Sequence, residues 1–142
     1  MKHFFGIVAL AALLLGCNTL SGVPAMSNLM IQPAELNPGD TAIITVQVSD
    51  RHALIDRIEG IVKGHPEITF KLRDDGEAPD EKAQDGTWTL QVDVPFQAPP
   101  GEFVLELTAY RSDGQPVPVR DGAGNVVPLQ QTLPVVIRYA QG

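Results

Sequence analysis

An acidic stretch in the middle of the chain carries the side chains best suited to chemistry. Four aspartates and two glutamates fall between positions 74 and 85. Calcium takes six to eight oxygen ligands at about 2.3 to 2.6 Å, from carboxylates, backbone carbonyls and water. The stretch therefore predicts a candidate calcium site whose carboxylates are Asp74, Asp75, Asp80 and Asp85.

A second interpretation of the same stretch needs no ion. The spacing of the acids does not fit the EF-hand loop, which requires acidic or amide residues at alternate positions and a terminal Glu. In a solvated hairpin, Asp side chains cap turns and glycines supply positive φ, here Gly76 and Gly86. Acidic turns are commoner than dedicated ion sites, so the hairpin is the leading interpretation and calcium is the alternative.

Other residues that could do chemistry are sparse. Beyond position 16 the chain has two histidines, His52 and His65, and neither has a cysteine or a second histidine at ligand spacing. A copper site combining them with Met26 and Met30 is the alternative to two solvated histidines. The sequence contains no glycine-rich phosphate loop and no nucleophile elbow, so we expect no enzymatic activity. The competing hypothesis is an enzyme or a metal-handling protein that uses the acidic stretch or the histidines.

These residues must be positioned by β-strands. Short runs with apolar side chains at every second position alternate with Gly, Pro, Asp and Asn, which is typical of strands with one buried face. Seven strands are predicted, at residues 29–32, 41–49, 55–63, 67–72, 87–94, 102–111 and 132–139. This number and spacing of strands predicts an all-β, immunoglobulin-like β-sandwich.

Three aromatic residues are predicted to lie in the core of that sandwich: Trp88, Phe70 and Phe103. Full burial of one large side chain contributes roughly 1.5 to 3 kcal/mol, so we expect Trp88→Ala to be among the most damaging single changes.

Two other segments are less regular. Residues 117–120 and 125–128 flank a turn at 121–124 and predict a two-stranded ribbon at an edge, because three nearby prolines cannot donate ladder hydrogen bonds. Residues 51–57 could form a single helical turn instead of extended chain.

The acidic stretch resembles a loop of bacterial extracytoplasmic immunoglobulin-like domains. In that loop an apolar strand end runs into Asp-Asp-Gly, a further Asp, an Ala-Gly-Asp-Gly element, and an aromatic residue followed by Ser or Thr. The matching positions here are Asp74, Asp75, Gly76, Asp80, Ala83, Asp85, Gly86, Trp88 and Thr89. Gln84 departs from the pattern, because the family usually has glycine there. The resemblance implies an immunoglobulin-like or fibronectin type III-like fold and an exported setting.

The first residues of the chain have the layout of an export signal. Lys2 and His3 precede an apolar run that ends at Leu15, too short for a permanent membrane span. Residues 14–17, Leu-Leu-Gly-Cys, resemble the lipobox of bacterial lipoproteins. The resemblance implies cleavage after Gly16 and acylation of Cys17, for example with palmitate; an ordinary secreted protein with a lone cysteine is the alternative.

The lipobox interpretation divides the chain and gives it an address. We expect a signal peptide at 1–16, the lipidated Cys17 with a tether to residue 27, and one immunoglobulin-like domain at 28–142. In the Gram-negative sorting rule, Asp directly after the cysteine favours the inner membrane, and here the residue is Asn18. The expected location is therefore the cell envelope, at the outer membrane, facing the periplasm or the cell surface.

The charge of the chain limits its partners. The formal net charge is −7 at pH 7, which argues against nucleic acid and anionic lipid surfaces, since both need a basic face. We expect a non-enzymatic envelope lipoprotein whose domain binds a protein or glycan partner or serves a structural role. Unpaired edges at 29–32 or 132–139 are the expected docking strands. The alternatives are a metal-binding envelope protein and an accessory subunit of an extracytoplasmic enzyme or secretion complex.

Overall fold

The fold is known from a computed structural model, which describes residues 22–78, 80 and 82–138. Cys17, the signal and Tyr139 lie outside the described residues. Ten strands form the fold: β1 (Ala25–Gln32), β2 (Glu35–Leu36), β3 (Thr41–Ser49), β4 (Arg57–Val62), β5 (His65–Lys71), β6 (Thr87–Asp93), β7 (Gly101–Tyr110), β8 (Pro118–Arg120), β9 (Val126–Pro128) and β10 (Gln130–Ile137). Within these ranges no helix is long and apolar enough to cross a membrane.

The strands form two layers and a small ribbon. One sheet has the order β1-β3-β6, the other has the order β2-β10-β7-β4-β5, and β8 pairs with β9. All neighbours are antiparallel except β10 and β2. Two facing antiparallel sheets of this kind make an immunoglobulin-like β-sandwich, which confirms the predicted all-β fold.

The core lies between the sheets and follows the predicted alternation. In β3 the buried side chains are Ala42, Ile44 and Val46, each two residues from the next. The opposite sheet contributes Ile58 from β4 and Leu107 from β7, neither of which has any exposed surface. Period-two burial arises because successive side chains of a strand point to opposite faces of the sheet.

The first strand begins earlier than the sequence predicts. The tether was expected to reach residue 27, but β1 starts at Ala25, and Met26 is only 4 % exposed within the core. A register shift between Ser27 and Met30, with a positive φ of 51° at Asn28, interrupts the alternation there. Since a bulge breaks the period of two, the pattern hid the first half of this strand.

The expected docking strand at 132–139 is only partly free. Glu35 and Leu36 form β2, a short strand absent from the prediction, and they pair in parallel with Val136 and Ile137 of β10. The edge predicted at 29–32 belongs to β1, which pairs with β3 alone. Among the described residues the outer strands of the two sheets are therefore β1, β6, β2 and β5, and β10 keeps an unpaired edge before Val136.

The ribbon is present and lies closer to the body than expected. β8 and β9 pair around a turn in which Asp121 Oδ1 accepts the N–H groups of Ala123 and Asn125. The residues that flank the ribbon, Val117 and Leu129, are buried and hydrogen-bond to the backbone of β7. The single helical turn considered for 51–57 does not form, because Asp50 accepts the N–H groups of Leu54 and Ile55.

Candidate functional site

The acidic stretch forms a closed loop between β5 and β6. At its base the backbones of Arg73 and Thr89 exchange two hydrogen bonds, of 2.9 and 2.8 Å. Within the loop the Gln84 N–H donates to the Asp74 carbonyl at 3.0 Å, and the Asp80 N–H donates to the Glu77 carbonyl at 2.8 Å. The loop is therefore held by its own backbone as well as by the strands on either side.

Three of the four predicted ligands converge inside this loop. One carboxylate oxygen from each of Asp74, Asp80 and Asp85 lies within 4.8 Å of the others. Asp80 is only 3 % exposed, Asp74 is partly buried and Asp85 is exposed. Three carboxylates offer at most six oxygens, so a calcium ion bound there would draw further ligands from carbonyls or water.

The fourth predicted ligand, Asp75, points away from this cluster. Its Oδ2 accepts from Arg73 at 2.8 Å, and its Oδ1 accepts the Glu77 N–H at 3.0 Å. The hydrogen bond from Arg73 lowers the pKa of Asp75 below its ordinary value. Arg73 also pairs with Glu77, so the loop cation neutralises the outer acids and leaves the inner three without a positive partner among the described residues.

The surroundings of Asp74 disfavour its charged form. Burial raises the pKa of Asp74, and the neighbouring carboxyls of Asp85 and Asp80 raise it further, while the Gly86 N–H opposes the shift. Asp74 Oδ1 is buried and accepts no hydrogen bond. A buried acceptor without a donor costs free energy. A proton or a cation bound at this oxygen would therefore stabilise the folded loop.

The hairpin interpretation is also supported, in its backbone. Gly76 and Gly86 have φ of 79° and 83°, as predicted. Gln84 adopts φ of 55°, in the left-handed region that glycine enters most readily. Asp80 Oδ2 accepts the Gly76 N–H at 2.7 Å, so this buried carboxylate stabilises the turn whether or not an ion is present.

An apolar cleft at the other end of the sandwich is the feature that sequence reasoning missed. It encloses about 480 Å³ between the two sheets. Its walls include Ile68 and Phe70 of β5, Val92 of β6 and Phe103 of β7. The sheets are joined at Arg73 and Thr89 and separate beyond them, so β5 and β6 leave the space between them open.

The cleft changes the interpretation of the predicted core aromatics. Phe70, Trp88 and Phe103 lie on the inner faces of their strands, but none is fully buried. Phe70 and Trp88 pack against the edge of the core, and Phe70 and Phe103 line the cleft. The fully buried side chains are aliphatic, the largest being Ile58, Leu107, Val46 and Val117.

The two histidines do not form a common site. His52 follows β3, on the side of the acidic loop, whereas His65 begins β5 beside the cleft and lies 3.4 Å from Glu67. They stand at opposite ends of β4, and Met26 is buried in the core. The hypothesis of a copper site shared by these residues was therefore wrong.

Comparison with known proteins adds evidence on the fold alone. The endo-β-1,4-mannanase from Thermotoga petrophila aligns with a TM-score of 0.51 at 12 % identity, over 82 % of this chain and 20 % of the mannanase. The alkylpurine DNA glycosylase AlkC from Pseudomonas fluorescens, bound to DNA with an abasic site analogue, aligns with a TM-score of 0.47 at 14 % identity. The alignment covers 85 % of this chain and 32 % of the glycosylase. The fibronectin(III)-like modules of Clostridium thermocellum CbhA align with a TM-score of 0.42 at 15 % identity, over 80 % of this chain and 100 % of the module chain.

No protein-family model matches the sequence, and no curated protein matches it. The chain spans about a fifth of the mannanase and about a third of the glycosylase. At such low identity the likeness concerns the fold, which together with the sheet order defines this chain as an immunoglobulin-like β-sandwich protein.

Proposed function

We propose that this protein is a lipid-anchored, non-enzymatic module of the bacterial cell envelope that binds an extended segment of a partner protein along β5. The observation that carries the proposal is the open apolar cleft beside that strand. The lipobox at residues 14–17 supplies the anchor, and the immunoglobulin-like domain supplies the binding surface.

The edge of β5 supports strand addition. β5 pairs with β4 on one side and has no strand on the other among the described residues. An unpaired edge presents backbone N–H and C=O groups that an extended peptide can satisfy, and alternate pockets give such binding its specificity. Ile68 on this strand is 42 % exposed although it points into the cleft, so a strand added here would bury it.

The chemistry of the cleft favours a peptide over a glycan. Nearly all of its lining is aliphatic, aromatic or proline, and the ionisable residues in it are His65 and Asp93. A glycan needs many hydrogen-bonding groups, whereas an extended peptide directs every second apolar side chain to one face. The partner segment is therefore expected to alternate between apolar and polar residues.

A cross-linking experiment in intact cells tests the proposal. A photoreactive residue in place of Thr69, on the exposed face of β5, should give one discrete adduct with a partner protein. Ile68→Asp in the same chain should abolish the adduct, because a carboxylate in the cleft would be desolvated by the incoming strand. Radiolabelled palmitate should enter the wild-type chain and not Cys17→Ser.

The matched control for this experiment is Val126→Asp. Val126 is an apolar side chain with 62 % exposure on β9, which belongs to the separate two-stranded ribbon and not to the sheet of β5. The adduct should persist in this variant. An adduct that survives Ile68→Asp, or that disappears equally in both variants, would show that β5 is not the binding edge.

We propose as a second function that the acidic loop binds a structural calcium ion. The observation that favours it is the unpartnered Asp74 Oδ1, on a side chain whose carboxylate clusters with those of Asp80 and Asp85. An ion at a hundredfold excess over its dissociation constant adds about 2.7 kcal/mol to the free energy of unfolding. The protein should therefore melt at a higher temperature in millimolar calcium than in chelator.

Two conservative variants separate this site from general charge effects. Asp85→Asn removes an exposed carboxylate from the cluster and should reduce the calcium-dependent rise in melting temperature. Asp75→Asn removes an equal charge from the same loop, but Asp75 is turned toward Arg73, so the rise should remain. The hypothesis would be abandoned if wild-type protein melted at one temperature in calcium and in chelator.

A further inference from the structure

We infer that the sandwich stands on the membrane with its acidic loop toward the lipid headgroups and its apolar cleft turned away. This orientation rests on the proposed acylation of Cys17. It follows from the position of Gly22, five residues after Cys17, and it identifies the bilayer-facing surface of the protein.

Gly22 lies beside the loop between β3 and β4. A Cβ atom on Gly22 would lie 2.6 Å from His52 Nε2, so the backbone of Gly22 lies directly against that side chain. Pro24 and Met26, which follow, are buried. Gly22 is thus fixed to one end of the sandwich.

The distance from this point to the anchor is limited by covalent geometry. Gly22 lies five residues after Cys17. A chain spans at most about 3.4 Å per residue, so Gly22 can be no more than about 17 Å from the acylated residue. The end of the sandwich that holds Gly22 must stay near the bilayer.

The acidic loop lies at that same end. Ala25 of β1 pairs with Ser49 of β3, and the nearby Val48 N–H donates to the Gly86 carbonyl at 2.7 Å. The loop that contains Asp74, Asp80 and Asp85 therefore lies at the same end of the sandwich as the beginning of β1.

The cleft lies at the opposite end. Its lining includes Val94, Pro95 and Ala98, which follow β6. The seven residues of β6 separate the two ends, and at about 3.3 Å per residue they span about 20 Å. An added strand beside the cleft would thus approach from the aqueous side, as the proposed function requires.

The end of the sandwich that holds Gly22 and the acidic loop carries a negative charge, which favours zwitterionic headgroups over anionic ones. Asp75, Glu77 and Asp85 are exposed there, and Arg73 is already paired with the first two. These carboxylates repel anionic headgroups and attract the ammonium of phosphatidylethanolamine. The tether holds the acidic loop near the membrane, and phosphatidylethanolamine is the headgroup that suits the negative charge of this loop.

Fluorescence quenching in vesicles tests the orientation. The acylated, full-length protein would be reconstituted into phosphatidylethanolamine vesicles that contain a lipid with a nitroxide on its headgroup. A fluorophore would be attached through Lys82→Cys in the acidic loop or through Gln97→Cys beyond β6, both exposed positions. We expect a loss of fluorescence at position 82 and no change at position 97.

A second measurement needs no label. Trp88 is the only tryptophan, and it lines the groove beside the acidic loop. Its emission should be quenched by the nitroxide lipid, whereas that of a Trp88→Phe, Phe96→Trp double variant should not. Equal quenching at the two ends, or stronger quenching at positions 96 and 97, would overturn the orientation. Mass spectrometry of the mature N-terminus tests whether Cys17 is acylated, independently of the orientation. An unacylated Cys17 would refute the proposed anchor.

Discussion

The backbones of Arg73 and Thr89 pair across the two sheets, so the chain that leaves β5 is tied to β6 at one point. On one side of this pair the chain closes into the acidic loop. On the other side the sheets diverge around the apolar cleft. A single pair of residues thus separates the two candidate sites, and changes at one site should leave the other intact.

Gly86 should tolerate no side chain. Its φ is 83°, and an added Cβ would lie 3.0 Å from the Val48 carbonyl oxygen. Gly86→Ala should lower the free energy of unfolding by about 1 to 2 kcal/mol for the left-handed conformation and by about 1 to 3 kcal/mol for the contact. Gly114→Ala is the matched control, because Gly114 has φ of 86° and nothing within 4 Å. Urea denaturation of both variants measures the difference, and equal losses would contradict the contact.

Asp80→Ala should destabilise the loop even without an ion. The substitution removes the charged acceptor of the Gly76 N–H, and a hydrogen bond to a charged group contributes about 1.5 to 3 kcal/mol. Asp56→Ala removes an exposed acid on the loop before β4 and should change the free energy of unfolding by less than about 0.5 kcal/mol. Chemical denaturation in chelator compares the two, and an Asp80→Ala variant as stable as wild type would show that this hydrogen bond contributes nothing.

Asp74 should make the protein less stable as the pH rises. Its folded pKa is raised above the ordinary 3.8, mainly by burial, so between the two values the folded state holds more protons than the unfolded state. Stability therefore falls as the pH climbs from 3.8 through the raised pKa, and the penalty is complete above it. In chelator at pH 7, Asp74→Asn should melt at a higher temperature than wild type, and this advantage should vanish near pH 3. An unchanged or lower melting temperature at pH 7 would refute the assignment.

Leu107→Ala should be among the most damaging single changes in the sandwich. Leu107 has no exposed surface and lies at the centre of the core, so the substitution creates a cavity that costs about 2 to 5 kcal/mol. Val126→Ala, at a position 62 % exposed, should fall within about 0.5 kcal/mol of wild type. Thermal unfolding followed by circular dichroism gives both values, and a loss below 1 kcal/mol for Leu107→Ala would place the core elsewhere.

The alternation of side chains predicted which strands form the sheets, but it did not predict how deeply each side chain is buried. All seven predicted strands are present, and Trp88, Phe70 and Phe103 lie on the inner faces of their strands. Their partial exposure was not predictable, because it depends on the distance between two sheets rather than on alternation within one strand. The damage expected from Trp88→Ala stays a prediction, now for a side chain at the edge of the core.

For the candidate metal site too, the sequence predicted one part and the tertiary structure decided the other. The sequence indicates four aspartates in one loop, but alternation and spacing do not say which carboxylates face inward. Closure of the loop by Gln84 and Asp74 brings Asp80 and Asp85 beside Asp74, and the side chain of Arg73 draws Asp75 outward. The positive φ at Gln84 is not predictable from the residue itself, because glutamine rarely adopts that conformation.

The sequence by itself determined the class of fold and the positions of the turns, since side-chain alternation and the backbone freedom of glycine are local properties of the chain. Only the tertiary structure decided that three carboxylates meet in one loop and that an apolar cleft opens beside β5. Both depend on how far apart two sheets lie and on where the chain crosses between them, and these distances are set by packing among residues remote in sequence.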